Sequence, residues 1–139
     1  MKSILIYVFG GCAGIAAAFF GGWDSALTMV VIAMGVDWVT GGILLPAVFH
    51  KSPKSDGGGL ESHAGFKGLV RKFVQIMIIG LAYQIDVFMG TTVLKDSVCF
   101  AFFANESLSI TENCGLMGVP FPQRITDAIS VLQGKDKNE

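Results

Sequence analysis

Charge is what this sequence has least of. Asp, Glu, Lys and Arg make up 15% of its 139 residues, against roughly 25% in an ordinary soluble domain. Between Met1 and Phe49 the charged side chains are Lys2, Asp24 and Asp37 alone. Apolar residues supply 52% of the chain, and the mean hydropathy is +0.59. So small a protein cannot bury that much apolar surface within itself, which excludes an ordinary water-soluble domain and leaves a bilayer as the fitting solvent. Cysteine is scarce too. Cys12, Cys99 and Cys114 are odd in number, and their spacing matches no zinc or thioredoxin motif, so they are expected to be small apolar packing residues. The sequence also lacks a nucleophile elbow, a phosphate loop and a paired-histidine motif. His50 and His63 have no glutamate or cysteine at ligand spacing, and Gly57, Gly58 and Gly59 follow no strand. Enzymatic activity, a metal site and a cofactor are therefore not expected. No basic block is long enough for nucleic acid.

What is present is a series of apolar runs. The first covers residues 4–22. Lys2 and Ala16-Ala17-Ala18 would also suit a cleavable signal peptide. The second run starts after only Gly21-Gly22-Trp23-Asp24, however, so a retained membrane helix is expected. The second, residues 27–49, is interrupted by Asp37, and Pro46 should bend or end it. Its length of roughly 30 Å or more is enough to cross hydrocarbon. The short link predicts an antiparallel hairpin of these two helices, with Trp23 at the interface. Residues 50–65 are polar, and 52–59 form a flexible loop by their turn chemistry. A third run, residues 73–94, carries Lys72, Gln75, Tyr83 and Asp86 on one face, with Gln84 pointing elsewhere.

After Lys95-Asp96 comes a fourth and weaker run, residues 97–113. It must place Glu106 at an interface or against other helices. Residues 1–119 thus form a transmembrane domain. In residues 120–139, Ile125, Ala128, Ile129 and Leu132 mark a short amphipathic helix, with Pro122 in its first turn and Gly134 past its end. A charged tail follows. The predicted fold is an all-α integral membrane protein with three to four transmembrane helices, four favoured, plus this C-terminal helix. Lys51, Lys54, Lys67, Arg71 and Lys72 outnumber Asp56 and Glu61 in residues 50–72, which predicts that this loop and the amino terminus are cytoplasmic. Four spans would return the carboxy terminus to the cytoplasm, and the lysines of the tail favour that.

Ionisable groups inside a span are costly, about 2.5–3.5 kcal/mol even on lenient scales. Asp37, with Thr40 and Gly41 on its face, is therefore either a pore-lining or proton-sensing carboxylate or an interhelical hydrogen-bond partner. Asp86, on the face of Gln75 and Lys72, has the same two readings. Gly10, Gly14, Ala18 and Gly22 recur every four residues, a spacing that lets helices approach closely in lipid. They serve either self-association or packing against the second helix of the same chain.

The carboxy-terminal third carries Asn105-Glu106-Ser107-Leu108-Ser109-Ile110, then Glu112-Asn113, then Gly115 through Met117-Gly118-Val119-Pro120. This pattern resembles the toxin-secretion/phage-lysis holin family. Asp37-Trp38-Val39-Thr40-Gly41 is similar to that family's Asp-x-x-Thr-Gly pattern, and Ser62, Gly65, Gly68 and Lys72 to its lead into the third helix. The resemblance covers residues 37–132. It implies a homo-oligomer in the bacterial cytoplasmic membrane that opens lesions and lets an endolysin reach the cell wall, or lets a protein be exported. The partners it implies are further copies, membrane lipid and, functionally, the endolysin, whose direct contact is not implied; no cofactor is expected. From the residues alone, a small proton- or ion-coupled transporter or channel subunit and a scaffold of a membrane complex stay open.

Overall fold

The computed structural model describes residues 2–54, 57–120 and 122–132. Among them the chain is helical, with no strand. Helix α1 spans Lys2–Phe20, α2 Ser25–Asp37, α3 Ser62–Met89, α4 Leu94–Met117 and α5 Gln123–Leu132. Helix α2 continues without a break into a wider π-helical segment, Trp38–Phe49. The stretch Ser25–Phe49 and helix α3 are each long and apolar enough to cross a membrane, whereas Ile4–Phe20 is a shorter apolar helix.

Local chemistry sets the ends of these helices. The Asp24 carboxylate accepts the Leu27 N–H at 2.8 Å and caps α2, the usual remedy for a free amide at a helix start. Pro46 lies inside the π-helical segment, buried, and the helix runs on to Phe49. Of the two expectations for Pro46, a bend or an end, the helix does not end there. Proline has no N–H to give, and the wider winding absorbs it while keeping Asp37, Gly41, Leu45 and Pro46 on the buried side. Gly90 adopts the left-handed conformation (φ 68°) and ends α3. The chain turns there rather than at residues 95–96, so Lys95 and Asp96 belong to the first turn of α4.

Helix α4 packs against α2, its π-helical continuation and α3, and α5 packs on α4. An apolar cluster of Leu27, Val30, Met34, Ile79 and Cys99 fills the half of the bundle nearest Asp24. The lower hydropathy of α4 has a simple cause: Lys95, Glu106 and Asn113 are buried in the bundle. Large apolar side chains lie outside instead, with Tyr7 78%, Phe9 73% and Phe88 92% exposed. Polar groups inside and apolar ones outside is the arrangement that lipid favours.

Helix α1 departs from expectation. Its main contacts are with α3 rather than with α2. Phe19 lies over Gly80, and Tyr83 over Gly21. Gln84 donates to the carbonyls of Ala18 and Phe19 at 3.2 and 2.9 Å, satisfying the end of α1. The hairpin fails because Gly21 and Gly22, both at positive φ, swing the chain across α3. Gly10, Gly14 and Gly22 face open space, so they do not pack against the second helix; Ala18 is exposed, and its carbonyl accepts from Gln84 of α3. The side chains of Ala128, Ile129 and Leu132, and the tail from residue 133 with Gly134, lie outside the described residues.

Gly80→Val should destabilise the α1–α3 contact by about 1–3 kcal/mol through overpacking. Thermal unfolding in detergent measures the loss, and adding Phe19→Ala should recover much of it.

Candidate functional site: a buried polar network

Three helices bring their few polar side chains to one place. The Lys72 ammonium of α3 bridges Asp37 of α2, at 2.8 Å, and Glu106 of α4. The side chains involved are 11%, 9% and 5% exposed, so this triad is shut off from most of the surroundings. Gln75, one turn along α3, donates to Glu106 Oε1 at 3.2 Å. Asn113, two turns beyond Glu106 on the same side of α4, donates to Asp37 Oδ1 and to Thr40 Oγ1, both at 3.1 Å. Thr40 in turn gives its hydroxyl proton to the Val36 carbonyl at 2.8 Å. The close approach of α4 here requires Gly41. A Cβ at that position would lie 2.6 Å from Asn113 Nδ2.

Two carboxylates face one ammonium, and the carbonyl oxygen of Gln75 accepts no hydrogen bond. The network therefore has a surplus of acceptors. A crevice of about 40 Å³ reaches it from the 52–61 loop, with Asp37 and Lys72 at its inner end and Gly65, Gly68 and Ser52 along its walls. That space accommodates roughly two or three waters. Hydrogen donors from such waters would meet the surplus.

Of the residues singled out in the sequence, Asp37, Thr40, Gly41 and Gln75 thus meet Glu106 and Asn113 in one network. The others lie elsewhere. Asp86 sits at the far end of the bundle and lines no common site with Gln75. It accepts the N–H groups of Leu94 and Lys95 at 3.1 and 2.8 Å and the Thr91 hydroxyl at 2.5 Å, so it caps α4. The tight turn at Gly90 brings the start of α4 over it. Asn105 and Glu112 are exposed on the outer side of α4. Ser107 lines an apolar groove between α2 and α4. Gly118 closes α4 at φ 76°, and Pro120 follows in the exposed link.

The sequence reading undervalued Lys95, which makes a second bridge. Its ammonium meets Asp24 at 2.5 Å and lies 5.5 Å from the centre of the Tyr83 ring. Burial disfavours the charged form of Asp24, but Lys95 and the Leu27 N–H outweigh it and hold the carboxyl below the usual carboxylate range. Lys72 was visible only as one member of a polar face. Its signal was an ammonium three residues from Gln75, just before a long apolar run. Among the described residues no cluster of His, Cys, Asp or Glu has metal-binding geometry.

A profile of the bacteriophage holin family matches residues 14–134. The chain belongs to that family. This holin-family chain is 32% identical to a probable holin of Bacillus phage phi105 over 86% of its own length and 82% of the relative's. It is 29% identical to an uncharacterised 14.9 kDa protein from the nagH 3′ region of Clostridium perfringens, covering 97% and 99% of the two chains. An uncharacterised protein of Listeria innocua is 32% identical over 93% of this chain and 89% of that one. No solved structure matches. The matched region contains every member of the polar network, and the family and the span-length helices together make this a membrane protein.

Lys72→Met should lower stability by about 3–5 kcal/mol, because it leaves two buried carboxylates without their cation. Unfolding in micelles measures this. Adding Asp37→Leu and Glu106→Leu should restore most of the loss, since an apolar replacement of the whole set removes the unpaired charges.

Proposed function

We propose that this chain is a holin that self-associates in the bacterial cytoplasmic membrane and opens it, so that an endolysin reaches the cell wall or a protein is exported. One observation carries the reading: an acceptor-rich network of Asp37, Lys72, Gln75, Glu106 and Asn113 at the centre of helices whose outer faces are apolar. In the closed bundle these groups meet most of one another's needs and leave a surplus of acceptors. In an assembly the same faces turn toward water, which solvates both carboxylates and removes the cost of enclosing them. The exchange of internal partners for water is the opening step, and it needs no covalent chemistry. Four spans, formed by α1, α2 with its π-helical continuation, α3 and α4, place the amino terminus, the 50–72 loop and α5 on the cytoplasmic side. Asp37, Thr40, Gln75 and Glu106 then line the lesion. Gly10, Gly14 and Gly22 supply an open face for contact between copies.

A second reading, a proton- or ion-coupled transporter or channel subunit, draws on the crevice lined by Asp37 and Lys72. It predicts substrate-dependent acidification without killing.

Induced expression in a bacterium should collapse the membrane potential abruptly after a delay and release a co-expressed endolysin. The triple variant Asp37→Leu, Lys72→Met, Glu106→Leu should accumulate in the membrane at wild-type abundance and leave the potential intact. Lysis by the triple variant on the wild-type schedule would exclude the network as the opening element. Continued growth of cells rich in the wild-type chain would exclude the holin function itself.

A further inference from the structure

Helix α3 is longer than a membrane needs. Its 28 residues extend about 42 Å at 1.5 Å per residue, against a hydrocarbon layer of roughly 30 Å. The apolar stretch from Phe73 onward occupies that layer. The surplus therefore lies at the Ser62 end, at the level of the lipid headgroups. There His63, Lys67 and Arg71 recur every four residues and are exposed, while Lys72 turns inward to the triad. Together with Lys54, Glu61 and Gly68 they line a cavity of about 370 Å³. Among the described residues Lys54, Lys67 and Arg71 form no ion pair. Beside them on the helix Phe66 and Val70 are 66% and 44% exposed.

We infer that this cavity binds the phosphodiester of an anionic membrane lipid. The guanidinium of Arg71 offers paired donors that match phosphate oxygens, and Lys67 and Lys54 add point charges. A zwitterionic headgroup brings its own cation against these three and is disfavoured. A glycerol headgroup brings none. The exposed Phe66 and Val70 lie where the glycerol backbone and upper acyl chains of such a lipid would run, a contact that free phosphate cannot make. Glu61 opposes the anion and limits the affinity. The site rests on the membrane placement proposed above, and it ties the start of α3 to the headgroups while the residue after Arg71 holds the triad.

The test uses the full chain reconstituted in phosphatidylcholine vesicles with trace spin-labelled phosphatidylglycerol or phosphatidylcholine. The immobilised fraction is read by electron paramagnetic resonance. The wild type should immobilise phosphatidylglycerol in preference to phosphatidylcholine. The double variant Lys67→Gln, Arg71→Gln should lose about fivefold or more of that preference, given the usual contribution of each basic residue at an anionic surface. Glu61→Gln should raise it. Circular dichroism should show unchanged helicity in both variants, whose altered side chains are exposed. Equal immobilisation of the two lipids, or a double variant as selective as the wild type, would overturn the site. Loss of the preference in inorganic phosphate, but not in chloride of equal ionic strength, would reassign it to free phosphate. Flotation with the vesicles separates the two proposals. A chain that fails to float refutes the membrane placement, and the lipid site with it, whereas a floating chain without selectivity refutes the lipid site alone.

Discussion

The position of one ammonium group governs this structure. Lys72 enters the bundle from α3 and meets a carboxylate from each of its two neighbours, Asp37 and Glu106. A lysine enclosed in this way, with its partners shifted along their helices, would leave three charges without compensation, at a cost of several kcal/mol each. Register between α2, α3 and α4 is therefore fixed by polar matching rather than by apolar packing, which in lipid discriminates weakly between neighbouring registers. Gly41 and Asn113 serve the same constraint. The glycine permits the approach, and the amide then reaches both Asp37 and Thr40. The wide winding after Asp37 keeps Gly41, Leu45 and Pro46 on the buried side over two further turns.

The opposite end has a different logic. Asp24 and Lys95 pair where the side chain of Asp24 is 43% exposed, and screening by water makes such a pair weak. Asp86 contributes through hydrogen bonds to the free amides of α4, which is a structural duty. Between the ends lies the apolar cluster of Leu27, Val30, Met34, Ile79 and Cys99. The bundle is thus anchored by polar contacts at its centre and at one end, with a dry section between them. Such a layout allows the central contacts to exchange partners while the far end keeps the helices together, as the proposed opening requires.

Much of this was legible in the sequence, because apolar runs and isolated charges record the solvent a helix faces. The second and third helices and the unusual standing of Asp37 all follow from that record. The roles of Asp86 and Gln84 did not, since both depend on where the chain turns. Asp86 becomes a cap only because Gly90 folds α4 back over it, and Gln84 meets α1 only because Gly21 and Gly22 redirect that helix. The same redirection undid the expected α1–α2 hairpin. Helix α4 looked weak for a related reason. Hydropathy counts Glu106 and Asn113 against a membrane helix, although here their partners come from Asp37, Thr40, Lys72 and Gln75, which no window along α4 contains.

The faces left without partners complete the argument for assembly. Asn105 and Glu112 lie on the outer side of α4, seven residues apart, where the proposed topology puts lipid. Hydrocarbon offers an amide neither donor nor acceptor, so such a group is stable there only against another protein surface or water. Gly10 and Gly14 open a close-packing face on α1 that no other helix occupies among the described residues. These two faces lie on different helices, and each lacks what a second copy could bring: polar partners for α4 and a closely fitting helix for α1. Most internal polar groups of the chain are paired, whereas these outer ones are not, so its unmet interactions lie largely at its boundary. Under the proposed function, association meets those first, and only a sufficiently large assembly gains by turning the Lys72 network outward to water. On that proposal, accumulation precedes opening because of which polar groups are paired inside the single chain.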